Sequence, residues 1–217
     1  MRDVEIRLDR AGAIEVIVLD AGGAAFAGAQ LLVLDLSQVT SGQAGYWLEP
    51  TPVGVTGGDG RATLRGDLYG GRPLFVVAPD RALTIGWLPT GAAGGSNATS
   101  TVQLSVEPPS AFPGLAVSDA SGHPLRVEWL AFSRNGIPIP RRILEFLAQA
   151  NRLSSSGFIV GPASQPMSIW PAYFSSGDYS VSYVVADKET HRPRAIDLGL
   201  IHLPSAERIE LRAMLAP

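Results

Sequence analysis

Residues 13–34 read AIEVIVLDAGGAAFAGAQLLVL, two apolar runs joined by Asp20-Ala-Gly-Gly23 and Ala24–Gly28. Ile14–Leu19 starts by alternating with Glu15 and ends continuously apolar, the pattern of a strand covered on both sides. An Asp followed by two glycines is turn chemistry, since Asp bonds the backbone ahead of it and Gly reaches positive φ without steric cost. Gln30–Leu34 is then the returning strand. A weaker copy stands at 115–132, LAVSDASGHPLRVEWLAF, with Asp119 lying 99 residues after Asp20.

Outward from these stretches the chain is a series of short runs punctuated by turns. Val4–Leu8 and Arg208–Arg212 alternate apolar and charged residues, and Thr101–Val106 alternates apolar and uncharged polar ones. Gly57-Gly-Asp-Gly60 predicts a tight hairpin leading into Arg61–Leu64. Pro73–Ala78, Ala82–Leu88, Arg126–Phe132, Phe158–Val160, Tyr179–Val185 and Ile196–Ile201 are further apolar runs of strand length. Thr90–Ser100 has loop composition. With 24 Gly and 17 Pro in 217 residues, long helices are disfavoured, and 46% hydrophobic residues support a packed core.

One helix is expected at about 140–153. Pro140 suits a first turn, Ile143, Leu144, Leu147, Ala150 and Leu153 make an apolar stripe, and Ser154–Gly157 stops it. The stripe has two uses: covering an open end of its own sandwich, the favoured reading, or docking on a neighbouring module.

The two cycles align by their turns. Val102–Val106 closes the first and Ile209–Ala213 the second, while Val4–Leu8 looks like the closing strand of an earlier module. The order of strand, Asp-x-x-Gly turn, strand, Asp-Gly and strand resembles the carboxypeptidase regulatory-like domains of the transthyretin-like β-sandwich group. Asp20, Gly23, Gly28-Ala29, Thr56, Asp59-Gly60 and Gly71 carry the resemblance in the first cycle. Asp119, Gly122, Pro124, Gly157, Gly177 and Tyr179 carry it in the second.

The expected fold is therefore all-β: two tandem transthyretin/Ig-like antiparallel β-sandwiches at 11–108 and 109–217, the second with an inserted helix. Residues 1–10 are assigned to a preceding module or to an edge of the first sandwich. The resemblance implies an accessory, non-catalytic structural or interaction module, in tandem within a larger exported or envelope protein. Its partners would be neighbouring modules or another protein. The chain would then lie outside the cytoplasm, or inside it if it is no fragment of an exported protein, since MRDVEIRLDR is no export signal.

Little in the sequence asks for chemistry. A net charge of −3 with no basic run beyond Arg141-Arg142 gives no nucleic-acid footprint. The absence of cysteine excludes thiol catalysis and Cys-ligated metals, and no apolar run approaches a membrane span. His123, His191 and His202 lack metal-ligand spacing, and no Gly-x-Ser-x-Gly elbow or phosphate-cradling loop appears. Asp20, Asp59, Asp119 and Asp178 lie at turns without the spacing of a calcium loop. No catalytic residue, metal ligand or cofactor is assigned.

Aromatic residues supply the alternative. Tyr46-Trp47 and Trp170 with Tyr173 fall in loops, where they either cap the sandwiches or present flat faces to a polysaccharide or a protein. The alternative function is accordingly a carbohydrate-binding module using Tyr46, Trp47, Trp170 and Tyr173. Trp87 and Trp129 sit in strand patterns and are expected in the core.

Overall fold

A computed structural model describes residues 12–38, 47–65, 69–90, 99–110, 112, 114–125, 130–152, 170–186 and 193–213. The described chain is all-β with one helix, in thirteen strands. β1 (Ala13–Asp20), β4 (Arg61–Arg65) and β7 (Thr99–Val106) form one sheet, ordered β4-β1-β7. β2 (Gln30–Val33), β3 (Thr51–Val55), β5 (Pro73–Val77) and β6 (Thr84–Trp87) form a second, ordered β3-β2-β5-β6. Further along, β9 (Leu130–Arg134), β10 (Ile137–Ile139), β11 (Gly177–Ala186) and β12 (Pro193–Leu203) form a third, ordered β10-β9-β11-β12. β8 (Leu115–Asp119) pairs with β13 (Ile209–Ala213). Strand pairs are antiparallel except β1 with β7 and β8 with β13, which are parallel, and an isolated parallel bridge joins Leu83 to Phe174. An all-antiparallel expectation thus holds except where closing strands meet opening ones.

The Asp20 turn forms as its residues dictate. Its Oδ1 accepts the Gly22 and Ala24 N–H groups at 2.8 and 2.9 Å, and Gly23 takes φ +83°. Ninety-nine residues on, Asp119 Oδ1 accepts Ser121 and His123 N–H groups at 2.9 and 2.8 Å, with Gly122 at φ +84°. The backbone bonds also coincide: Phe26 donates to the Val18 carbonyl at 2.9 Å, and Leu125 to that of Val117 at 2.8 Å.

Turn Gly57–Gly60 forms, with Gly60 N–H donating to the Gly57 carbonyl at 2.9 Å, but it joins different sheets, carrying the chain from β3 to β4. It is a crossover between layers rather than a hairpin. Gly60 is required there: at φ +72°, a Cβ would stand 2.6 Å from the Val18 carbonyl. Buried Thr56 ties the loop before β2, donating its hydroxyl to the Phe26 carbonyl at 2.7 Å and accepting the Ala29 N–H at 3.0 Å.

Two apolar clusters show how the layers stack. Ile14, Val16 and Val18 of β1 face Leu31, Val33, Leu74 and Val76 of the second sheet. β1 alternates along its length, with Ile17 and Leu19 only half-buried, so it is covered on one side. In the early sheets, β2 and β5 are the strands covered on both sides. Their other faces, Leu32, Phe75 and Val77, join Leu34 and Leu83 in a cluster with the interior of the later sheets and the helix. Every residue of β5 is buried, which is why it reads as an unbroken apolar run.

The helix, α1, spans Arg141–Ala150 and buries Ile143, Leu144, Leu147 and Ala148. It packs on β5, and Asn151 at its end accepts the Asp80 N–H at 2.7 Å. The described part of the apolar stripe covers the outer face of β5 and shares one apolar cluster with residues of β9–β12. Val4–Leu8, Phe158–Val160, Trp129 and the Thr90–Ser100 loop apart from its ends lie outside the described residues. Trp87 is half-exposed, at 50%, rather than core: it ends the edge strand β6, whose burial falls off along its length.

Candidate functional site

A cleft opens where the chain enters β3 beside the start of α1. Leu48 is buried in the large cluster and anchors its neighbours, leaving Trp47 and Glu49 outward. Across from them, Pro140 ends the β10 approach with φ −61° and ψ 150°, and its carbonyl accepts the Ile143 N–H at 3.0 Å. The helix then turns its apolar stripe inward, which leaves Arg141, Arg142 and Glu145 toward Trp47. Trp47, Leu48, Glu49, Arg141, Arg142 and Glu145 line a cleft of about 360 Å³.

Its electrostatics are internally settled. Glu145 accepts from Arg141 Nε at 2.9 Å on one carboxylate oxygen and from an Arg142 guanidinium nitrogen at 2.6 Å on the other. The Arg142 guanidinium also lies 5.0 Å from the centre of the Phe146 ring. The hydrogen bond that Arg142 donates to Glu145, the Glu145 charge, and more weakly that of Glu49 push the Arg142 pKa up. Sequence spacing carried this signal, since i,i+3 and i,i+4 pairs of opposite charge meet on a helix, but only Trp47 of the lining was singled out as a ligand-binding candidate.

Of the other predicted site aromatics, only Tyr173 has a described side chain, and it does not line the cleft with Trp47. Tyr46 lies outside the described residues, and of Trp170 only the backbone is described, in the 3₁₀ turn Trp170–Tyr173. Tyr173 is half-buried against the large cluster, and its carbonyl accepts the Leu83 N–H at 2.6 Å. It therefore belongs to the contact between the early and late sheets.

Next to Tyr173 lies a polar network that sequence reading missed. Arg134 at the end of β9 donates to the Ser175 hydroxyl and, at 2.7 Å, to the Ser176 carbonyl. Its guanidinium carbon lies 5.5 Å from the Tyr179 ring centre. Tyr179 is buried, stacks on Phe174 at 5.1 Å and donates its hydroxyl to the Ser175 carbonyl at 2.8 Å. Burial pushes the Tyr179 phenol pKa up, partly offset by the hydrogen bond with Ser175 and the Arg134 charge. Gly177 leaves room for Arg134, because a Cβ would stand 2.8 Å from one of its nitrogens.

Among the titratable groups, His123 is an exposed turn residue, 3.3 Å from Asp119. His202 and Asp178 pair at 2.7 Å across β11 and β12, both exposed. Among the described residues, no group of three or more His, Asp or Glu side chains is placed to hold a metal ion, and no helix is long and apolar enough to cross a membrane.

Neither a family model nor a curated protein matches the chain. Solved structures align along most of it. The Bacillus anthracis TIE protein does so at 12% identity over 94% of this chain and 34% of its own, with a TM-score of 0.28. A streptococcal ancillary pilin aligns at 11% identity over 95% of this chain and 63% of its own, with a TM-score of 0.29. The shaft pilin SpaA from Lactobacillus rhamnosus GG aligns at 9% identity, 96% and 99% coverage and a TM-score of 0.28. This chain spans about a third of the first, under two thirds of the second and nearly all of the third. Superpositions this loose carry no argument about function.

Proposed function

We propose that this chain is a non-catalytic structural and interaction module of a larger exported protein, made of two carboxypeptidase regulatory-like units at 11–108 and 109–217. The observation that carries the reading is the Asp turn, repeated bond for bond at an offset of 99 residues. Each turn ends a strand that pairs in parallel with a closing strand, and each precedes a four-stranded sheet of equivalent order. Repetition of a whole hydrogen-bond set, beyond a shared turn residue, is what two copies of one unit would give. The Asp20, Thr56, Asp119, Arg134 and Tyr179 side chains are spent on turns, the loop before β2 and the contact between sheets, which suits a scaffold.

Sequencing the genomic flank of the gene tests the multi-module part. An in-frame continuation upstream of Met1, carrying an export segment and further Asp-turn units, is the expected result. A stop codon directly upstream would overturn it. Partners on this reading are adjoining modules or a second protein, and the location is extracytoplasmic.

A further inference from the structure

We propose that the free edge of β12 pairs with the same edge of a second copy of this chain, antiparallel and across a two-fold axis that passes beside Leu200. The proposal deepens the reading of the chain as an interaction module and rests on it in that respect alone, since it uses nothing of the repeat. Strand edges are templates for added strands, so the first question is which edge is left open.

β12 packs against β13, but among the described strands it pairs with β11 alone. At eleven residues it is the longest described strand. Its Leu200 is 72% exposed, the most of any large apolar residue described. The other edges are short or guarded. β3 carries Pro52, β10 has three residues with Pro138 among them, and β6 has four. β4 begins and ends in arginine, and the exposed positions of β7 are Thr, Gln and Ser. Among the described edges, β12 is the one that joins length to a bare apolar side chain with no proline beside it.

The outward side chains of β12 say which occupant fits. Leu200 stands opposite Ser180 and His202 opposite Asp178 on β11, while Asp197 stands opposite Ser182 across the bulge at Leu198-Gly199. Asp197, Leu200 and His202 therefore share one face, and all three are exposed. When Leu200 meets Leu200 of the second copy, His202 of each chain comes opposite Asp197 of the other. The bulge makes this register consistent, because Leu198 and Gly199 together face the single Ile201 of the second copy. Two-fold symmetry repeats the contact, so an apolar pair is flanked on either side by a His–Asp pair. The charged groups are held before the copies meet. Asp197 Oδ1 accepts the Gly199 N–H at 2.9 Å, leaving Oδ2. His202 Nδ1 lies 2.7 Å from Asp178 Oδ1, leaving Nε2. A protonated imidazole has an N–H on each nitrogen and serves both carboxylates, Asp178 of its own chain and Asp197 of the other. A strand of unrelated sequence would find the backbone edge but not this complementary set, which is why the occupant is a copy of β12.

Sedimentation velocity of the full chain at about pH 6, below the ordinary histidine value, tests the proposal over a dilution series reaching about 1 mM. A monomer–dimer equilibrium is expected. Leu200→Arg sets like charges opposite each other at the axis and should weaken dimerisation about tenfold or more. Asp197→Asn keeps an oxygen for the Gly199 N–H but removes both charge pairs, for a loss of roughly three- to tenfold. Val55→Arg alters another exposed apolar residue, on the β3 edge, and should leave the dimer unchanged. Leu200 and Val55 are both exposed, so these variants should fold, and thermal unfolding checks it. The chain has no cysteine, so Leu200→Cys reports the register directly. Opposed Cα atoms of antiparallel strands lie about 4.5–5.5 Å apart, within disulfide reach. Mild oxidation should join two Leu200→Cys copies and leave Val55→Cys monomeric.

A chain that stays monomeric throughout the series overturns the proposal, as does a dimer that survives Leu200→Arg or is lost in Val55→Arg. Assembly beyond a dimer also overturns it, because a two-fold pairing of one edge is closed. A dimer that fails to cross-link through Leu200→Cys overturns the register and with it the assignment of this edge. None of these results bears on the genomic test of the multi-module reading, so the two fail separately.

Discussion

The Asp20 and Asp119 turns are bonded alike, yet the four-stranded sheets that follow them sit in different surroundings. The sheet β3-β2-β5-β6 has apolar residues on both faces: Leu31, Val33, Leu74 and Val76 toward β1, and Leu32, Phe75 and Val77 toward α1 and the later strands. The sheet β10-β9-β11-β12 contributes Leu130, Phe132, Val181 and Ile201 to that second cluster. A central sheet shared by two cores couples the regions that flank it, whereas repeated turns shape each region locally. Local hydrogen bonding can therefore repeat while the packing around it diverges.

The shared face is where this comparison breaks most readily. Phe75→Ala should cost about 3–5 kcal/mol, the range for truncating a fully buried aromatic side chain. Because Phe75 belongs to the cluster that includes α1 and β8–β13, denaturant unfolding of the unmodified chain should be one transition, seen alike by far-UV circular dichroism and tryptophan fluorescence. Two separated transitions, with Phe75→Ala moving only one, would show that the early and late regions unfold independently.

Glycines sharpen the contrast between shared packing and repeated turns. Gly60→Ala should cost roughly 2 kcal/mol or more, since positive φ is joined by a Cβ placed 2.6 Å from the Val18 carbonyl. Gly23→Ala and Gly122→Ala meet no atom within 4 Å, so each should cost only about 1–2 kcal/mol, from the left-handed backbone alone. The last two values should match one another. Midpoints from chemical denaturation decide it, and a marked inequality between Gly23→Ala and Gly122→Ala would argue that the turns are not equivalent.

Tyr179→Phe probes the contact between the regions. It removes a donor to the Ser175 carbonyl and a neighbour of Arg134, for an expected loss of about 1–2 kcal/mol. Its folded-state pKa is raised by burial, so its contribution is complete below the ordinary tyrosine value and is lost as pH rises above it. Unfolding of the unmodified chain should thus become easier above roughly pH 10, and less so in Tyr179→Phe.

How much of this was legible depended on whether the signal was local. The Asp turns, the helix and most strands announce themselves through residues a few positions apart. The exposure of β1 was misjudged because Ile17 and Leu19 are apolar, and hydrophobicity does not say whether a second layer covers a strand. Gly57–Gly60 was readable as a turn, but nothing in Gly-Gly-Asp-Gly states that its strands belong to different sheets. The same limit applies to the site. Trp47 was visible as a loop aromatic and the helix by its apolar stripe, while the meeting of Trp47 with Arg142 and Glu145 depends on the packing of α1. Arg134 left no signal, since its partners Ser175, Ser176 and Tyr179 lie more than forty residues away.

The smallest effect expected is also the most specific to one turn. Asp119 accepts two backbone N–H groups and faces His123, and the backbone bond from His123 is the largest influence holding its pKa below the ordinary 3.8. A carboxylate whose folded-state pKa is lowered contributes stability above the unfolded value. That contribution is lost as pH falls from the unfolded value through the folded one, because over that window the unfolded chain holds the proton and the native state does not. Asp119→Asn removes the titration but keeps an oxygen that can accept from Ser121 and His123. The stability difference between the unmodified chain and Asp119→Asn should therefore be level from neutral pH down to about 4 and shrink below it. Urea unfolding across that range measures it. A difference that stays constant to the lowest pH would mean that the turn holds Asp119 by geometry alone and that its charge adds nothing.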